Sequence, residues 1–343
     1  MRKFTFIVAT AVIIAICACA SHDLSHVPQP KPKNVFLFIG DGMGFAHVSV
    51  AEAFTPMSFT QFPVMGMATT HSADSYLTCS AAAATALATG VKTNNGMVAI
   101  DTSGKPLKSI AFDFKEAGHR VGIATTVSID HATPAAFYAN DASRNSYHSI
   151  ASQLAPSGFD FFAGEKFLEP KDVNEKIVQA DYAIVYTKEE LSQAEPSKKI
   201  LISNNDVWTL AELTSIGIEK LDNTHGFFFM VEGGKIDWFA HDNNGEGVVK
   251  EMAGFSKAVA VAFDFYKKHP GETLIVVTAD HGTGGIALGN NREIAWTTSG
   301  HTGEAVPVFA IGAGSELFAG KMDNTDIPKK ILNVINCKAD KKD

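Results

Sequence analysis

Runs of apolar, β-prone residues alternate along the chain with segments whose apolar positions recur at helical spacing. The apolar runs lie at residues 34–39, 121–126, 159–162, 199–202, 227–231, 273–278 and 306–311. The helical patterns lie at residues 107–117, 146–154, 248–268 and 327–334. Continuous apolar strands between helices are typical of a parallel sheet covered on both sides. The sequence therefore predicts an α/β fold with a mainly parallel central sheet flanked by helices on both faces. Residues 164–224 give the weakest pattern.

The first twenty residues form a segment of a different kind. Arg2 and Lys3 precede an apolar run over residues 4–20, which is short for a membrane span and typical of a secretion signal. A retained membrane anchor is the alternative. Residues 18–20 fit an ordinary A-x-A cleavage site, whereas residues 16–19 resemble a bacterial lipoprotein box with Cys19 as the lipidated residue. We favour the lipoprotein, because a second cysteine inside the leader is otherwise unexplained.

The next segment, residues 21–33, contains Pro28, Pro30 and Pro32 and predicts an extended tether. The chain is thus interpreted as a signal peptide (residues 1–20), a Pro-rich tether (21–33) and a single domain (34–343). The expected location is the periplasm, either free or as an outer-membrane lipoprotein.

Composition excludes some classes of function. The 343 residues carry a formal net charge of -8 with dispersed basic residues, so nucleic-acid binding is not indicated. Any bound anion would need a local source of positive charge. After the leader only Cys79 and Cys337 remain besides Cys19, and they imply no disulfide framework.

Acidic residues stand where predicted strands end. Asp41 follows the run 34–39, Glu232 follows 227–231, and Asp280 and His281 follow 273–278. Ligands of open α/β sheets bind beyond the carboxyl ends of the strands, so these residues predict one shared site. A helix cap or a turn is the alternative for any one of them.

Ser80 and the pair of Asp237 and His241 are further candidates for the site. Ser80 lies near the start of a small-residue run with high helix propensity, where its hydroxyl and nearby backbone N–H groups would face an anion; a simple N-cap is the alternative. Asp237 and His241 are four residues apart and would share one helix face, as a metal pair requires. With His281 and His301, the acids and histidines favour a site for several metal ions, zinc at nitrogen and oxygen ligands and magnesium at oxygen ligands.

Several joined motifs resemble the alkaline phosphatase family. They are T-x-S-A-A-x-A-T-A at residues 78–86, T-G-V-K-T at 89–93, E-G-x-x-I-D-x-x-x-H at 232–241, T-A-D-H at 278–281 and H-T-G at 301–303. They occur in the family's order, and the resemblance extends from about residue 34 to residue 311. As a set they are highly specific.

The resemblance implies a phosphate monoester hydrolase that binds two zinc ions and one magnesium ion. Carried over position by position, the first zinc would be held by Asp237, His241 and His301, the second by Asp41, Asp280 and His281, and the third metal by Asp41, Thr133 and Glu232. Ser80 would be the nucleophile that forms a phosphoserine, and Arg144 would clamp the phosphate. Small phosphate monoesters are the implied substrates, and family members are often homodimers.

This chain departs from the family pattern beside the nucleophile. Many members carry Asp before the serine, where it helps to hold the arginine, but here the residue is Cys79. We therefore expect a more mobile Arg144 and weaker phosphate binding; Cys79 as a rival nucleophile is an alternative. His131 and Trp238, as in some bacterial members, would tune the third metal site.

Other functions fit some of these features. A phosphodiesterase or sulfatase-like hydrolase of the same superfamily is the nearest alternative, although Arg144 and the third-metal ligands favour monoesters. A non-catalytic phosphate-binding envelope protein is the other, and it would require a damaged nucleophile or metal set.

Overall fold

A ten-stranded sheet forms the centre of the computed structural model, which describes residues 31–203 and 206–335. The strand order is β14-β2-β13-β8-β1-β7-β3-β4-β6-β5, and two further two-stranded sheets pair β10 with β11 and β9 with β12. The strands are β1 (Asn34–Gly40), β2 (Val64–Thr69), β3 (Arg120–Ser128), β4 (Phe161–Glu165), β5 (Tyr182–Val185), β6 (Lys199–Ser203), β7 (Phe227–Gly233), β8 (Thr273–Ala279), β9 (Gly282–Thr283), β10 (Ala287–Leu288), β11 (Ile294–Ala295), β12 (His301–Thr302), β13 (Val306–Gly312) and β14 (Gly320–Asp323).

Helices connect the strands. They are α1 (Phe45–Glu52), α2 (Ser80–Thr89), α3 (Ile110–Glu116), α4 (Ala132–Tyr138), α5 (Tyr147–Ser152), α6 (Leu154–Ser157), α7 (Val173–Gln179), α8 (Lys188–Gln193), α9 (Leu210–Leu221), α10 (Lys235–His241), α11 (Gly245–Lys268) and α12 (Asp326–Ile335).

Helices cover both faces of the sheet. Successive side chains of a strand point to opposite faces, and in β7 the ring of Phe228 lies 4.9 Å from that of Phe114 in α3, whereas the ring of Phe227 lies 5.6 Å from that of Phe265 in α11. The α3 and α11 helices therefore lie on opposite faces. This confirms the predicted α/β fold.

The sheet is mainly parallel, also as predicted, with one reversal. β1 pairs in parallel with β7 and β8, and all seven residues of each of these strands are buried, which explains their continuous apolar sequence. β13 runs antiparallel to both β8 and β2. The sequence pattern gave no sign of this direction, because a buried strand is apolar in either orientation.

The apolar pattern did not reveal all elements. β2 and β14 lie at one edge of the sheet and are partly exposed, so they lack a continuous apolar run. The weakly patterned residues 164–224 contain α7, β5, α8 and α9 besides the predicted β6. Of these, α9 begins at a capping box formed by Thr209 and Glu212.

No helix in residues 31–203 and 206–335 has the length and apolar character needed to cross a membrane. The predicted signal peptide, Cys19, most of the predicted tether and Cys337 lie outside the described residues.

Candidate active site

The strand ends bring three carboxylates together. Asp41 follows β1 and Asp280 follows β8, while Glu232 is the second-last residue of β7. β1 lies between β7 and β8, with Ile39 opposite Glu232 on one side and Thr278 on the other. The three side chains therefore meet at the carboxyl ends of these central strands. All three carboxylates are fully buried.

The turn after β1 allows Asp237 and Thr283 to approach the backbone at Gly42 closely. Gly42 has a φ of 73°, which favours glycine, and its N–H donates to Asp280 Oδ1 at 3.0 Å. A Cβ at this position would lie 2.9 Å from both Asp237 Oδ1 and Thr283 Oγ1. The glycine therefore lets α10 and the loop after β8 close onto Asp41.

Ser80 is the first residue of α2, as the small-residue run predicted. Its hydroxyl oxygen lies 3.3 Å from His281 Nε2, and the residue is 2% exposed. Cys79, not Ser80, occupies the N-cap position of the helix. The serine hydroxyl is thus directed into the cluster of acids and histidines rather than used as a cap.

His281 joins Ser80 to two of the acids. Its Nε2 atom lies 3.2 Å from Asp280 Oδ2 and 3.5 Å from Asp41 Oδ1, in a fully buried environment. Burial lowers the pKa of His281 to about 4. The imidazole is therefore neutral at physiological pH, which is the form that binds a metal ion.

Asp237 and His241 lie one helical turn apart on α10, as predicted. His241 Nε2 lies 3.3 Å from Asp237 Oδ2, and His301 Nε2 lies 3.8 Å from Asp237 Oδ1. The Nδ1 atoms of the two histidines face backbone carbonyl oxygens, at 2.6 Å from Ser299 and 2.7 Å from Thr78. Such carbonyl partners fix the tautomer and direct Nε2 toward a shared ligand.

The histidines also lie close to one another. The rings of His281 and His301 are stacked with centroids 3.7 Å apart, and those of His241 and His301 are 5.1 Å apart. Asp237, His281 and His301 offer ligand atoms within 4.8 Å of one another, as do Asp41, Asp280 and His281. The sequence assigned His281 to the second group only, but its side chain adjoins both.

The third predicted group contains Asp41, Thr133 and Glu232. Thr125 donates a hydrogen bond to Glu232 Oε2, and the buried Thr133 hydroxyl is near enough to lower the pKa of Glu232. Asp41, Glu232 and His131 offer ligand atoms within 4.8 Å of one another. A histidine nitrogen therefore stands beside the oxygen donors that the sequence indicated.

Unpaired polar atoms show that the site suits cations. Among the described residues, five buried oxygens of this cluster have no hydrogen-bond partner: both of Asp41, Oδ2 of Asp280, Oε1 of Glu232 and Oγ1 of Thr133. Leaving such atoms unpaired is costly, whereas coordination to metal ions would satisfy them. The donor set of carboxylate and imidazole suits zinc, and its oxygen-only part suits magnesium.

The protonation equilibria support the same conclusion. Burial and the neighbouring acids raise the pKa of Asp41 well above its usual value, burial and Asp237 raise that of Asp280 to about 6, and burial raises that of Glu232 to about 8. Asp237 differs: burial raises its pKa, but the hydrogen bonds from His241 and Thr283 and the charges of His281 and His241 together hold the pKa below its usual value. Full ionisation of Asp41 and Glu232 at neutral pH therefore requires bound positive charge.

Arg144 lies at the same cluster. Its Nη2 atom is 3.2 Å from His131 Nε2, and its charge lowers the pKa of both Asp41 and Glu232. Burial and the arginine lower the pKa of His131 to about 4, so the neutral ring accepts the hydrogen bond. The sequence predicted that Arg144 lacks a supporting side chain, because Cys79 replaces the family's Asp, and His131 partly provides that support. The His131 ring also lies edge-on to Trp238, with the ring centroids 6.0 Å apart.

The sequence analysis did not single out the residues that hold these side chains. Thr125 donates to Glu232, and Thr283 donates to Asp237 Oδ1 at 2.6 Å. Thr283 could have been considered from its place in the loop after Asp280 and His281. Thr125 lies more than a hundred positions from Glu232, and only the pairing of β3 with β7 brings them together.

A parallel α/β sheet with a serine hydroxyl among buried acids and histidines defines the class of a metal-dependent hydrolase. The family model described as alkaline phosphatase matches residues 32–160, 191–292 and 288–337. The chain therefore belongs to the alkaline phosphatase family, which confirms the resemblance in its sequence. It is a metal-dependent enzyme that hydrolyses phosphate monoesters.

Individual relatives agree with this conclusion. The chain is 30% identical to alkaline phosphatase 3 of Bacillus subtilis, over 87% of this chain and 88% of the relative. It is also 30% identical to alkaline phosphatase 4 of the same organism, with the same coverage. Among solved structures, the alkaline phosphatase from the Antarctic bacterium TAB5 is 31% identical and superposes with a TM-score of 0.83, over 90% of this chain and 99% of that one.

Proposed function

We propose that Ser80 is the nucleophile and that the reaction passes through a phosphoserine. The observation that carries this proposal is the position of the Ser80 hydroxyl, 3.3 Å from His281 Nε2 at the start of α2. At the first position of a helix the backbone N–H groups of the first turn also favour an incoming anion.

We further propose that the site holds two zinc ions and one magnesium ion. Asp237, His241 and His301 would hold the first zinc, Asp41, Asp280 and His281 the second, and Asp41, Thr133 and Glu232 the magnesium. The unpaired buried oxygens and the Nε2 atoms directed at Asp237 support these sets. A mutant of the TAB5 enzyme has been solved with Mg bound in a site called M3. When bound, the cations would lower the pKa of the serine hydroxyl and balance the charge of the phosphate.

Arg144 is proposed to bind the substrate. Its guanidinium can donate two parallel hydrogen bonds to non-bridging phosphate oxygens. Neutral His131 accepts a hydrogen bond from the guanidinium and would orient it. Together with the metal ions, Arg144 would outweigh the four carboxylates of Asp41, Glu232, Asp237 and Asp280. An acidic protein would thereby attract an anionic substrate.

The chemistry then proceeds in two displacements. The Ser80 oxygen attacks phosphorus in line, its proton passes to solvent, and the ester oxygen leaves with the bonding electron pair and takes up a proton. Water next attacks the phosphoserine, which releases inorganic phosphate and restores the hydroxyl. Arg144 holds the same two oxygens in both steps.

Hydrolysis of p-nitrophenyl phosphate tests these assignments. Ser80→Ala should lose at least about a thousandfold in kcat, and acid-quenched wild type should carry phosphate on Ser80. Full turnover by zinc-stripped protein, or phosphate on Cys79, would contradict the assignments. Comparison with bis-p-nitrophenyl phosphate separates a monoesterase from the phosphodiesterase alternative.

The remaining proposals concern the whole protein. We propose that residues 34–343 form a single catalytic domain, carried beyond the inner membrane by the signal in residues 1–20. Attachment through lipidated Cys19 is preferred to a free periplasmic form, and assembly as a homodimer is also proposed. Mass spectrometry of the mature N-terminus distinguishes lipidation from cleavage before Ser21, and analytical ultracentrifugation measures the oligomeric state.

A further inference from the structure

A cavity lies apart from the acids and histidines of the active site. It has a volume of about 450 Å³ and is formed by the first turns of α9 and α10 and by the middle of α11. Trp208, Leu210, Leu213 and Phe255 supply an apolar lining. Cavities of this size and character commonly hold small organic ligands.

The charged groups around this cavity are mostly positive. Lys235, Lys250 and Lys257 line it, against the single carboxylate of Glu251. Lys235 is paired with Glu165 at 2.6 Å, but within the described part of the chain neither Lys250 nor Lys257 forms an ion pair. The charge of Lys250 also acts on Glu251, which leaves the lysines in excess over this one carboxylate. In a chain of net charge -8, exposed lysines in excess beside an apolar recess favour a negatively charged ligand.

The N-terminus of α9 does not supply the positive charge of this cavity. Thr209 and Glu212 cap it reciprocally, with the Thr209 N–H donating to Glu212 Oε2 at 2.8 Å. Its backbone donors are thus already partly used, and the lysines supply the charge.

Gly254 keeps the cavity open on the side of α11. A Cβ placed at Gly254 meets no atom within 4 Å, although the glycine lies in the interior of a long helix. Glycine lowers helix stability at such a position. A larger side chain here would project into free space.

The cavity lies directly behind the catalytic strands. Thr126 and Gly233 line it, and they are the chain neighbours of Thr125 and Glu232, which are hydrogen bonded to each other in the active site. The Lys235 N–H donates to Thr126 Oγ1 at 3.2 Å and ties the two strand ends together. A ligand in the cavity would therefore be separated from the third metal group by one layer of backbone.

We propose that this cavity binds a small organic anion with an aromatic or aliphatic body. The apolar lining accommodates the body, and Lys250 and Lys257 bind the anionic group at the rim. Inorganic phosphate lacks the apolar part and fits the active site instead. The proposal does not depend on the roles assigned to Ser80 or the metal ligands.

Fluorescence titration of the metal-loaded enzyme with anilinonaphthalene sulfonate tests the proposal, because this probe has both an aromatic body and a sulfonate. We expect saturable binding of one probe per chain. Gly254→Phe should weaken it at least about tenfold by filling the cavity, and the double variant Lys250→Gln/Lys257→Gln at least about fivefold. Gly254→Ala and Lys268→Gln, an exposed lysine on α11 away from the cavity, are the matched controls and should bind as the wild type does.

Three results would overturn the proposal. They are no saturable binding, binding that survives both Gly254→Phe and the double lysine variant, and displacement of the probe by inorganic phosphate, which would locate it in the active site. Circular dichroism and activity verify that each variant is folded. If Gly254→Phe does not fold, probe binding by the double variant Lys250→Gln/Lys257→Gln, whose substitutions are on the surface, still tests the proposal.

Discussion

The sulfur of Cys79 accepts a hydrogen bond from the backbone N–H of Gly96 at 3.0 Å. The carbonyl of Gly96 in turn accepts from the backbone N–H of Arg144 at 2.7 Å. A continuous path thus joins the residue before Ser80 to the backbone of the proposed phosphate clamp. Cys79 therefore supports Arg144 through the main chain and not through its guanidinium.

Replacement of Cys79 should affect substrate binding more than turnover. Cys79→Ala leaves the Gly96 N–H without its acceptor, a loss of about 1 kcal/mol that corresponds to roughly fivefold weaker binding of phosphate. Steady-state kinetics should show higher KM and a higher inhibition constant for inorganic phosphate, with kcat changed less than twofold or so. Cys79→Ser keeps an acceptor and should lie between the alanine variant and the wild type. A large loss of kcat at unchanged KM would contradict this role.

Thr125 offers a test of the third metal group. Thr125→Val keeps the shape of the side chain but removes the hydrogen bond to Glu232 Oε2. Loss of such a supporting bond typically costs about tenfold or more in metal affinity. Activity measured against magnesium concentration after chelation should shift to higher concentrations, while saturating magnesium restores most of the rate. Thr214→Val, which removes a buried hydroxyl on α9 bonded to the Leu210 carbonyl, is the control and should leave the magnesium curve in place.

The metal-free protein should lose stability as pH rises from 7 to 9. The folded-state pKa of Glu232 is raised to about 8 by burial, and that of His241 is raised to about 9 by the hydrogen bond that the protonated ring donates to Asp237. The unfolded chain has largely released both protons by pH 7, so each retained proton lowers stability by about 1.4 kcal/mol per pH unit, for Glu232 up to about pH 8 and for His241 up to about pH 9. The buried histidines with lowered pKa are already neutral in the folded state above pH 7, and their titration in the unfolded chain, near pH 6.5, adds only a small opposing effect at the start of this window. Thermal melts after chelation should show a falling Tm; a flat or rising Tm would be inconsistent with these shifts.

Two helix glycines should respond in opposite directions to the same substitution. Gly254→Ala on α11 meets open space and should stabilise the fold by about 0.5–1 kcal/mol through helix propensity. At Gly217 on α9 the added Cβ would lie 2.3 Å from the buried ring of Phe229, so Gly217→Ala should destabilise by about 1–3 kcal/mol. Urea unfolding of the two variants beside the wild type measures both effects. Equal changes in the two variants would contradict the packing described for α9.

The sequence indicated those parts of the site that depend on local pattern. Asp41, Glu232 and Asp280 could be predicted because a buried strand appears in the sequence as a continuous apolar run. The residue that follows such a run lies at the carboxyl end of the strand. Asp237 and His241 were found because helical spacing fixes which residues share a face. These inferences need only the nearest few residues of the chain.

Other features depend on contacts between distant segments and could not be found this way. His131 approaches Arg144, and Thr125 approaches Glu232, only after α4, β3 and β7 are packed. The antiparallel direction of β13 and the partial exposure of β2, between β13 and the edge strand β14, are likewise properties of the assembled sheet. The sequence also could not show that His281 lies close to both proposed zinc groups. The spacing of residues along the chain does not indicate whether one side chain contacts two sets of ligands.

The strands that lie side by side at the centre of the sheet are far apart in the chain. β1 is the first of the described strands, yet both of its partners, β7 and β8, are made nearly two hundred residues later or more, and His301 follows them. A growing or truncated chain that stops before β8 therefore lacks a completed centre, and one that stops before His301 lacks the full set of proposed ligands. With the proposed ligands, catalytic activity would require that synthesis has passed His301, and β1 must be kept from aggregating until its partner strands are made.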